Sequence, residues 1–438
     1  MGAMPKASLT TLGCKLNAAE TAAIGQQFLE RGYTLVEFGD PSDVAVINTC
    51  SVTARADREC RQLIRRALRA RPSPVVIVTG CYAQLEPDEV ASIGGVDFVL
   101  GTREKFDLFT HVGLPVKQAR PQVRVSDIQE ADDFGPAFST LAGDQTRAFL
   151  KVQDGCDFSC SFCTIPLARG SSRSQSVDAC LEQARALSVK GFREIVLTGV
   201  NVGDYGRKIG ADLLRLLEAL VQVEGLDRIR ISSIEPNLLT DEIIEFVAAH
   251  KNMCKHFHVP LQSGSDAVLC LMRRRYTTRQ YAERIARIRA RIPECGIGAD
   301  VIVGFPGEGE GEFAQTVEFL TSQPLTYLHV FTFSERPGTP ASLLEGAVEP
   351  SCRFRRNEVL RLLGRKKKEA FYRQMVGKTL PVLFESDDES GCRCGFTDNY
   401  VRVEIPSHVA SENSIVGVAI TGVKEDRCVG EVRSERRA

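Results

Sequence analysis

Three cysteines in KVQDGCDFSCSFCTIP, Cys156, Cys160 and Cys163, follow a C-x3-C-x2-C spacing. Thiolates this close can hold three irons of a cubane 4Fe–4S cluster and leave the fourth iron open to another ligand. Zinc is the competing reading, but zinc sites usually close with four ligands in C-x2-C pairs. No histidine or fourth cysteine lies nearby to complete one. A second set is scattered along the chain: SLTTLGC, DVAVINTC and VVIVTGC are apolar, β-rich runs that end on Cys14, Cys50 and Cys81. If these runs are strands of one parallel sheet, their carboxyl ends share an edge, and the three cysteines meet there. Gly13 and Gly80 would permit close backbone approach at that edge. Two readings stand for this set, a second cluster with an open iron or three small thiols buried at strand ends. Cys60, Cys180, Cys254, Cys270, Cys295 and Cys352 fit the second description.

The elements that must position these groups can be read from the patterning. Helix-length stretches at 18–31 and 53–70 and a turn from Pro87 alternate with the three amino-terminal runs, the pattern of a doubly wound α/β sheet. After the triad come β-like runs at 194–201, 228–235, 256–261, 298–304 and 327–333, separated by helix-length stretches. With 148–152 they make six β/α units, in which catalytic groups sit at the carboxyl ends of strands. The tail from 376 consists of short alternating strands with turn signals, as in a small β-barrel. A chain of 438 residues accommodates roughly two to four such domains. Hydrophobic content of 43% and charged content of 25% are ordinary for a globular protein. No apolar run reaches membrane-spanning length and the start lacks a signal-peptide layout, which predicts a cytoplasmic protein without membrane contact. Fifteen cysteines in such a chain point to metal thiolates and buried thiols rather than disulfides.

Phe162, immediately before the third cysteine, completes a pattern that closely resembles the radical S-adenosylmethionine (SAM) enzymes. LGCKLN, NTCSVT and TGCYAQ, at 12–17, 48–53 and 79–84, followed by that triad, resemble the methylthiotransferases nearly from end to end. The resemblance implies an auxiliary-cluster domain at 1–115, a linker at 116–144, a radical SAM partial barrel at 145–375 and a TRAM barrel at 376–438. It implies that Cys14, Cys50 and Cys81 hold one 4Fe–4S cluster and that Cys156, Cys160 and Cys163 hold the catalytic one. One SAM would supply a methyl group to sulfur, and a second would supply the deoxyadenosyl radical that opens an unactivated C–H bond. By the same analogy Phe162, Gly199, Asn201, Ser233, Gln262, Ser263 and Arg275 line the SAM and substrate pocket. As bare sequence those turns are ordinary Gly, Ser and Pro turns. His258 reads equally as a satisfied core histidine or a functional one.

LGCKLN is similar to the branch that acts on N6-threonylcarbamoyladenosine in tRNA, at carbon 2 of the base beside the anticodon. Other branches act on isopentenyladenosine in tRNA or on a ribosomal-protein aspartate. The implied partners are tRNA and a reducing donor such as a flavodoxin or ferredoxin. A non-enzymatic iron–sulfur RNA-binding or electron-transfer protein is the alternative from another class, although it would normally close its clusters with four protein ligands.

Net charge of −1 gives no global pull toward nucleic acid. The tail holds eight Lys/Arg against eleven Asp/Glu, so it is not a basic surface. Phe396 and Tyr400 there are candidates for base stacking or for the barrel core. Positive charge concentrates at 54–71, with seven arginines against two acids, and at 351–368, with eight basic residues and one acid. Each is either a solvated helix face or a phosphate-binding surface.

Overall fold

The computed structural model describes residues 4–131, 134–135, 146–387 and 391–433. The second half of the expected linker, 136–144, lies outside the described residues. The amino-terminal sheet has six parallel strands in the order Thr34–Val36, Lys6–Thr11, Val44–Thr49, Val75–Gly80, Phe98–Leu100 and Gln122–Arg124. Its central strands are buried on both faces, which is why they read as unbroken Val/Ile/Ala runs. Gln122–Arg124 falls inside the stretch expected to be linker. It joins the sheet through backbone pairing with Phe98–Leu100, which a three-residue strand without apolar alternation does not announce.

The central region is a parallel half-barrel. Strands Arg228–Ile231, Glu194–Thr198 and Arg147–Lys151 form one sheet, and His256–His258, Gly296–Val303 and Tyr327–Thr332 form another. Bridges Ile229–Met253 and Ser233–His258 join the two. Ile195, Leu197, Ile229, Ile231, Phe257, Ile297, Ala299 and Val301 face outward into a core shared with the covering helices. Those helices start on side-chain caps at Ser176, Asp212, Thr240 and Thr277. The alternate strand residues, Glu194, Arg230, His256, His258 and Asp300, fall on the opposite, lumenal face.

Helix Pro350–Met375 leads into a closed antiparallel and parallel barrel of five strands, consistent with TRAM. The helix ends inside its core through Phe371, Tyr372 and Met375. This barrel seals the floor of the half-barrel. Arg228 donates to Phe396 O at 2.8 Å and Pro381 O at 2.7 Å. Arg230 donates to Asp398 O at 3.0 Å and Thr397 O at 3.1 Å. Phe396 and Tyr400 stack on each other with ring centroids 4.9 Å apart. Tyr400 also lies 4.6 Å from His256 and beneath the Arg230 guanidinium, so these aromatics serve the interface between the two barrels.

The amino-terminal sheet is fastened over the open side by fully buried charges. Glu20 accepts from Arg169 Nη1 and Nη2, both at 2.9 Å, from Lys105 Nζ at 2.6 Å and from Lys151 Nζ at 3.3 Å. Arg169 also donates to Asn17 Oδ1 at 2.6 Å and Asp154 Oδ1 at 2.9 Å. Burial alone would raise the Glu20 pKa, but the Arg169, Lys105 and Lys151 charges override it and hold it at about 2. Because the folded pKa lies below the unfolded value of about 4.3, this contribution is complete above that value. It is lost as pH falls through the folded pKa. Glu20→Gln should therefore cost about 3–5 kcal/mol at neutral pH, by stranding buried cations. Urea unfolding checks this: an unchanged midpoint, or an intact protein whose stability is flat between pH 5 and pH 2, contradicts it.

Candidate active site

Cys14, Cys50 and Cys81 stand at the carboxyl ends of strands Lys6–Thr11, Val44–Thr49 and Val75–Gly80, which are adjacent in the sheet. Gly13 has φ +107°, and a Cβ there would sit 2.7 Å from both Cβ and Sγ of Cys50. Gly80 has φ +98°, and its Cβ would meet Asn48 Oδ1 at 2.4 Å. The two glycines are what allow the three strand ends to close on one another. Burial pushes the Cys50 thiol up to about 12, with Cys81 and Cys14 adding to the rise. Burial likewise raises Cys81, against the pull of Arg169 and Lys105. Cys60, outside the triad, receives the Cys50 N–H on its sulfur at 3.4 Å and donates to Cys50 O at 3.3 Å, fixing that strand end.

The second triad occupies the loop after strand Arg147–Lys151, where the half-barrel presents its carboxyl rim. The Cys156 N–H donates to Gly170 O at 3.0 Å and the Cys163 N–H to Cys160 O at 3.2 Å, which curls the loop. Burial raises all three thiols, Cys156 to about 11 and Cys163 to about 12. Arg274 opposes this at Cys160, donating to its sulfur at 3.1 Å while paired with Glu235. All six cysteines are free thiols. Such groups stay protonated until a metal displaces the proton. Among the described residues, only His258, Asp300 and His329 bring three ligand atoms within 4.8 Å of one another.

The two triads are neighbours. Ser51, next to Cys50, offers its carbonyl to Thr164 Oγ1, next to Cys163, at 3.5 Å. Arg336 is buried across the same seam, donating to Asp57 Oδ2 at 2.5 Å and Ser51 Oγ at 2.6 Å. Ala54 N–H donates to Ser334 Oγ at 3.0 Å.

Around the rim the remaining sequence candidates separate. Asn201 is 4% exposed, and neither polar atom of its side-chain amide has a partner, so it fits a polar ligand such as SAM. Gly199 packs where any side chain would strike Gln153, 3.0 Å from its Cβ. Phe162 stands edge-on to Phe305 of the GFPGE turn, with centroids 6.3 Å apart. Ser233 Oγ pairs with His258 Nδ1 at 2.7 Å, and His258 Nε2 with Asp300 Oδ1 at 2.9 Å. His258 is thus a lumenal polar group, not an isolated core histidine. Gln262 adopts φ +71° beside strand Gly296–Val303. Ser263 is fully buried and bonded to Thr316 and Ser265, away from this set. Arg275 is exposed and lies over the Phe158 ring at 4.0 Å, whereas its neighbour Arg274 reaches the triad. Sequence reasoning missed Arg274, Arg336 and Arg169, since arginine without a motif carries no positional signal.

Lys15, the lysine of LGCKLN, keeps contact with solvent, and the protein around it lowers its pKa. Tyr400 feels the same surroundings: burial would raise the phenol, but Lys15, Arg147 and Arg230 together hold it below its ordinary value.

Both basic helices pair some of their cations and leave others exposed, Arg361, Arg365 and Lys366 on Pro350–Met375 having no acidic partner among the described residues. On Pro350–Met375, Arg353, Arg355 and Arg356 pair with Glu335, Glu310 and Glu308, Lys368 pairs with Asp426, and Lys367 donates to Thr321 O and Gln323 O. Helix Ala54–Arg69 leaves Arg58, Arg65 and Arg69 exposed, without an acidic partner among the described residues. Their spacing places them along one face.

A three-cysteine loop at the carboxyl rim of a parallel β/α half-barrel defines a radical SAM enzyme. Residues 150–320 match the Radical SAM superfamily and residues 6–101 match the Uncharacterized protein family UPF0004. A threonylcarbamoyladenosine tRNA methylthiotransferase of Bacillus subtilis is 41% identical over 410 residues, covering 91% of this chain and 90% of the relative. One from Aquifex aeolicus is 38% identical, covering 91% and 96%. A tRNA-2-methylthio-N(6)-dimethylallyladenosine synthase of Syntrophotalea carbinolica is 35% identical, covering 87% and 89%. The radical SAM methyltransferase TsrM of Kitasatospora setae shares the fold, with TM-score 0.58 at 14% identity over 88% of this chain and 79% of that one. The chain belongs to the radical SAM tRNA methylthiotransferase family, which sets aside the non-enzymatic reading.

Gly13→Ala should force Cys50 away from its neighbours and cost about 1–3 kcal/mol by overpacking. A urea midpoint equal to that of the intact protein would contradict the close approach described here.

Proposed function

We propose that this enzyme adds a methylthio group to carbon 2 of N6-threonylcarbamoyladenosine at position 37 of tRNA. The observation that carries the reading is the adjacency of two three-cysteine sites across the Ser51–Thr164 contact. Cys14, Cys50 and Cys81 would hold one 4Fe–4S cluster, and Cys156, Cys160 and Cys163 the other. With SAM these clusters supply methyl transfer to sulfur and the radical that opens the C–H bond, chemistry that acid–base groups cannot perform. The protein's share is placement. Asn201, Gly199, Phe162, Gln262 and Ser233 would shape the SAM and substrate pocket, with Ser263 behind them and Arg275 at its mouth. Arg274 adds a positive charge and a hydrogen bond at the Cys160 sulfur, a device that raises cluster potentials. Electrons would come from a flavodoxin- or ferredoxin-type donor. Among the described residues no helix is long and apolar enough to cross a membrane, and a tRNA substrate implies a cytoplasmic enzyme.

Substrate docking follows from the charge that is left unpaired. The unpartnered arginines of helix Ala54–Arg69 would take tRNA phosphates, because this helix issues from the Cys50 strand end and leads away from the seam between the triads.

Nucleoside mass spectrometry of tRNA from cells with the intact protein, set against cells carrying Cys156→Ala, tests the reaction. A methylthio gain on threonylcarbamoyladenosine only with the intact protein is expected. A gain on isopentenyladenosine would move the enzyme to another branch, and no gain on any tRNA nucleoside would point to a protein substrate such as the ribosomal aspartate. Anaerobic iron and sulfide counts should show one cluster lost with each triple Cys→Ala variant; unchanged iron on replacing Cys14, Cys50 and Cys81 contradicts the two-cluster reading.

Replacing Arg58, Arg65 and Arg69 with Gln should weaken tRNA binding about tenfold or more at 0.1 M salt. The slope of log affinity against log salt should fall by roughly two to three. An unchanged slope would remove this helix from the docking surface.

A further inference from the structure

We infer that the electron donor docks on the outer face of the SAM-cluster loop, at an apolar patch of Leu271 and Leu343 rimmed by Arg273 and Arg275. The partner that fits is a small acidic electron-transfer protein. The inference rests on the donor class proposed above and is independent of which base the enzyme modifies.

Ser161 lies between Cys160 and Cys163 and is 1% exposed, because two surface segments close over it. Its N–H donates to Met272 O at 3.1 Å and its Oγ to Leu271 O at 2.7 Å. Its carbonyl accepts from the Ala341 N–H at 2.8 Å. Segments 271–275 and 338–346 are therefore one hydrogen bond removed from the loop that carries the catalytic thiols. They also meet through Gly307, where a Cβ would sit 2.8 Å from Leu271 Cδ1 and whose N–H donates to Gly346 O at 2.9 Å.

The inward residues of these segments belong to the core. Met272 and Ala341 are buried with Phe305 and Phe333, and Phe162 and Leu344 pack on them. The outward residues are bare: Leu343 is 86% exposed and Leu271 40%. Leu167, on the short helix after Cys163, is 43% exposed and lies 3.5 Å from a Cβ placed on Gly338. Bare leucines grouped around one buried loop residue mark a contact with another macromolecule.

The charges decide which one. The two segments carry Arg273, Arg274 and Arg275 against one acid, Glu345. Arg274 is turned inward to Cys160 and Glu235. Arg273 and Arg275 are exposed and have no acidic partner among the described residues. Arg275 lies over the Phe158 ring and donates to Asp157 O at 3.4 Å, so this charge rests on the cluster loop itself. Arg273 holds φ +56° just past helix Asp266–Leu271, a position where glycine is the usual residue. Its guanidinium bonds no described residue that would offset the strain. An apolar centre with a cationic rim is complementary to an acidic protein surface. A tRNA would be drawn to the same arginines but would leave the leucines uncovered. Electron-transfer partners meet through small, transient interfaces, and this one places the donor against the loop it must reduce. A donor seated here gives up one electron and the cluster held by Cys156, Cys160 and Cys163 gains it, with no atom or proton exchanged.

The test is binding of an oxidised acidic flavodoxin to the reconstituted enzyme, read from flavin fluorescence. The intact enzyme should bind it saturably, and more weakly as salt rises. Arg273→Glu combined with Leu343→Glu should raise Kd about tenfold or more, with iron content unchanged, since both side chains are exposed. A second measurement follows deoxyadenosine formation from SAM without tRNA, driven by reduced flavodoxin or by dithionite. The double variant should lose about tenfold at subsaturating flavodoxin and keep its rate with dithionite. An unchanged Kd, or no saturable binding by the intact enzyme, overturns the inference. So does an equal loss with both reductants, which would mean damage at the cluster. Weaker tRNA binding by the double variant, with flavodoxin binding intact, would overturn it in favour of an RNA contact. Neither flavodoxin readout contains tRNA, so a wrong base assignment would show only in the nucleoside analysis.

Discussion

The buried contact between Glu20 and Arg169 is the constraint on which the geometry of the two cysteine sites depends. Glu20 lies on the helix begun by Cys14, and Arg169 ends the helix that follows Cys163. Lys151 and Asp154 stand just before Cys156 in the chain, and both enter the same knot. Every charged side chain that bonds Glu20 is fully buried. Apolar residues of equal volume could hold such a seam as firmly, because removing charges from water is expensive. What they could not supply is direction. A guanidinium fork bonded to two oxygens of Glu20, to Asn17 and to Asp154 admits one orientation of the two bodies. For sulfur and a radical to meet on one carbon, orientation matters more than strength.

The rest of the assembly extends this principle. At the other end of the seam Arg336 fixes Asp57 and Ser51, holding the start of helix Ala54–Arg69 against the SERPGT turn. Below, Arg228 and Arg230 reach out of the half-barrel to backbone carbonyls of the TRAM barrel, which makes that barrel the floor of the reaction chamber. Three bodies are therefore locked together by arginines, each donating to more than one partner, and the chamber is bounded by all three.

Much of this was legible in the sequence, for local reasons. Cys156, Cys160 and Cys163 are close in the chain, so their spacing alone singled them out as a ligand set. The scattered triad was readable because each cysteine closes an apolar run, and parallel strands deliver their ends to one edge. The six β/α units and a small β-barrel in the tail followed from alternation and turn signals. What stayed hidden depends on tertiary placement. Neighbouring arginines at 274 and 275 look equivalent in the sequence, yet one turns inward to Cys160 and the other covers Phe158. Strand Gln122–Arg124 has no apolar signature, since its role is to pair backbone at a sheet edge.

Charge illustrates the same limit and shows what the fold adds. Two basic helices looked alike in composition, but basic residues count toward RNA binding only when no carboxylate already holds them. On helix Pro350–Met375, Glu308, Glu310 and Glu335 from the half-barrel neutralise Arg353, Arg355 and Arg356, while Arg361, Arg365 and Lys366 stay exposed without an acidic partner among the described residues. On helix Ala54–Arg69 Glu59 and Asp57 pair with Arg55 and Arg336, and Glu89 of helix Pro87–Ala91 takes Arg61, so the stripe of Arg58, Arg65 and Arg69 is left over by arrangement and not by number. A chain with net charge −1 can thus leave a cationic stripe on the helix that issues from the Cys50 strand end.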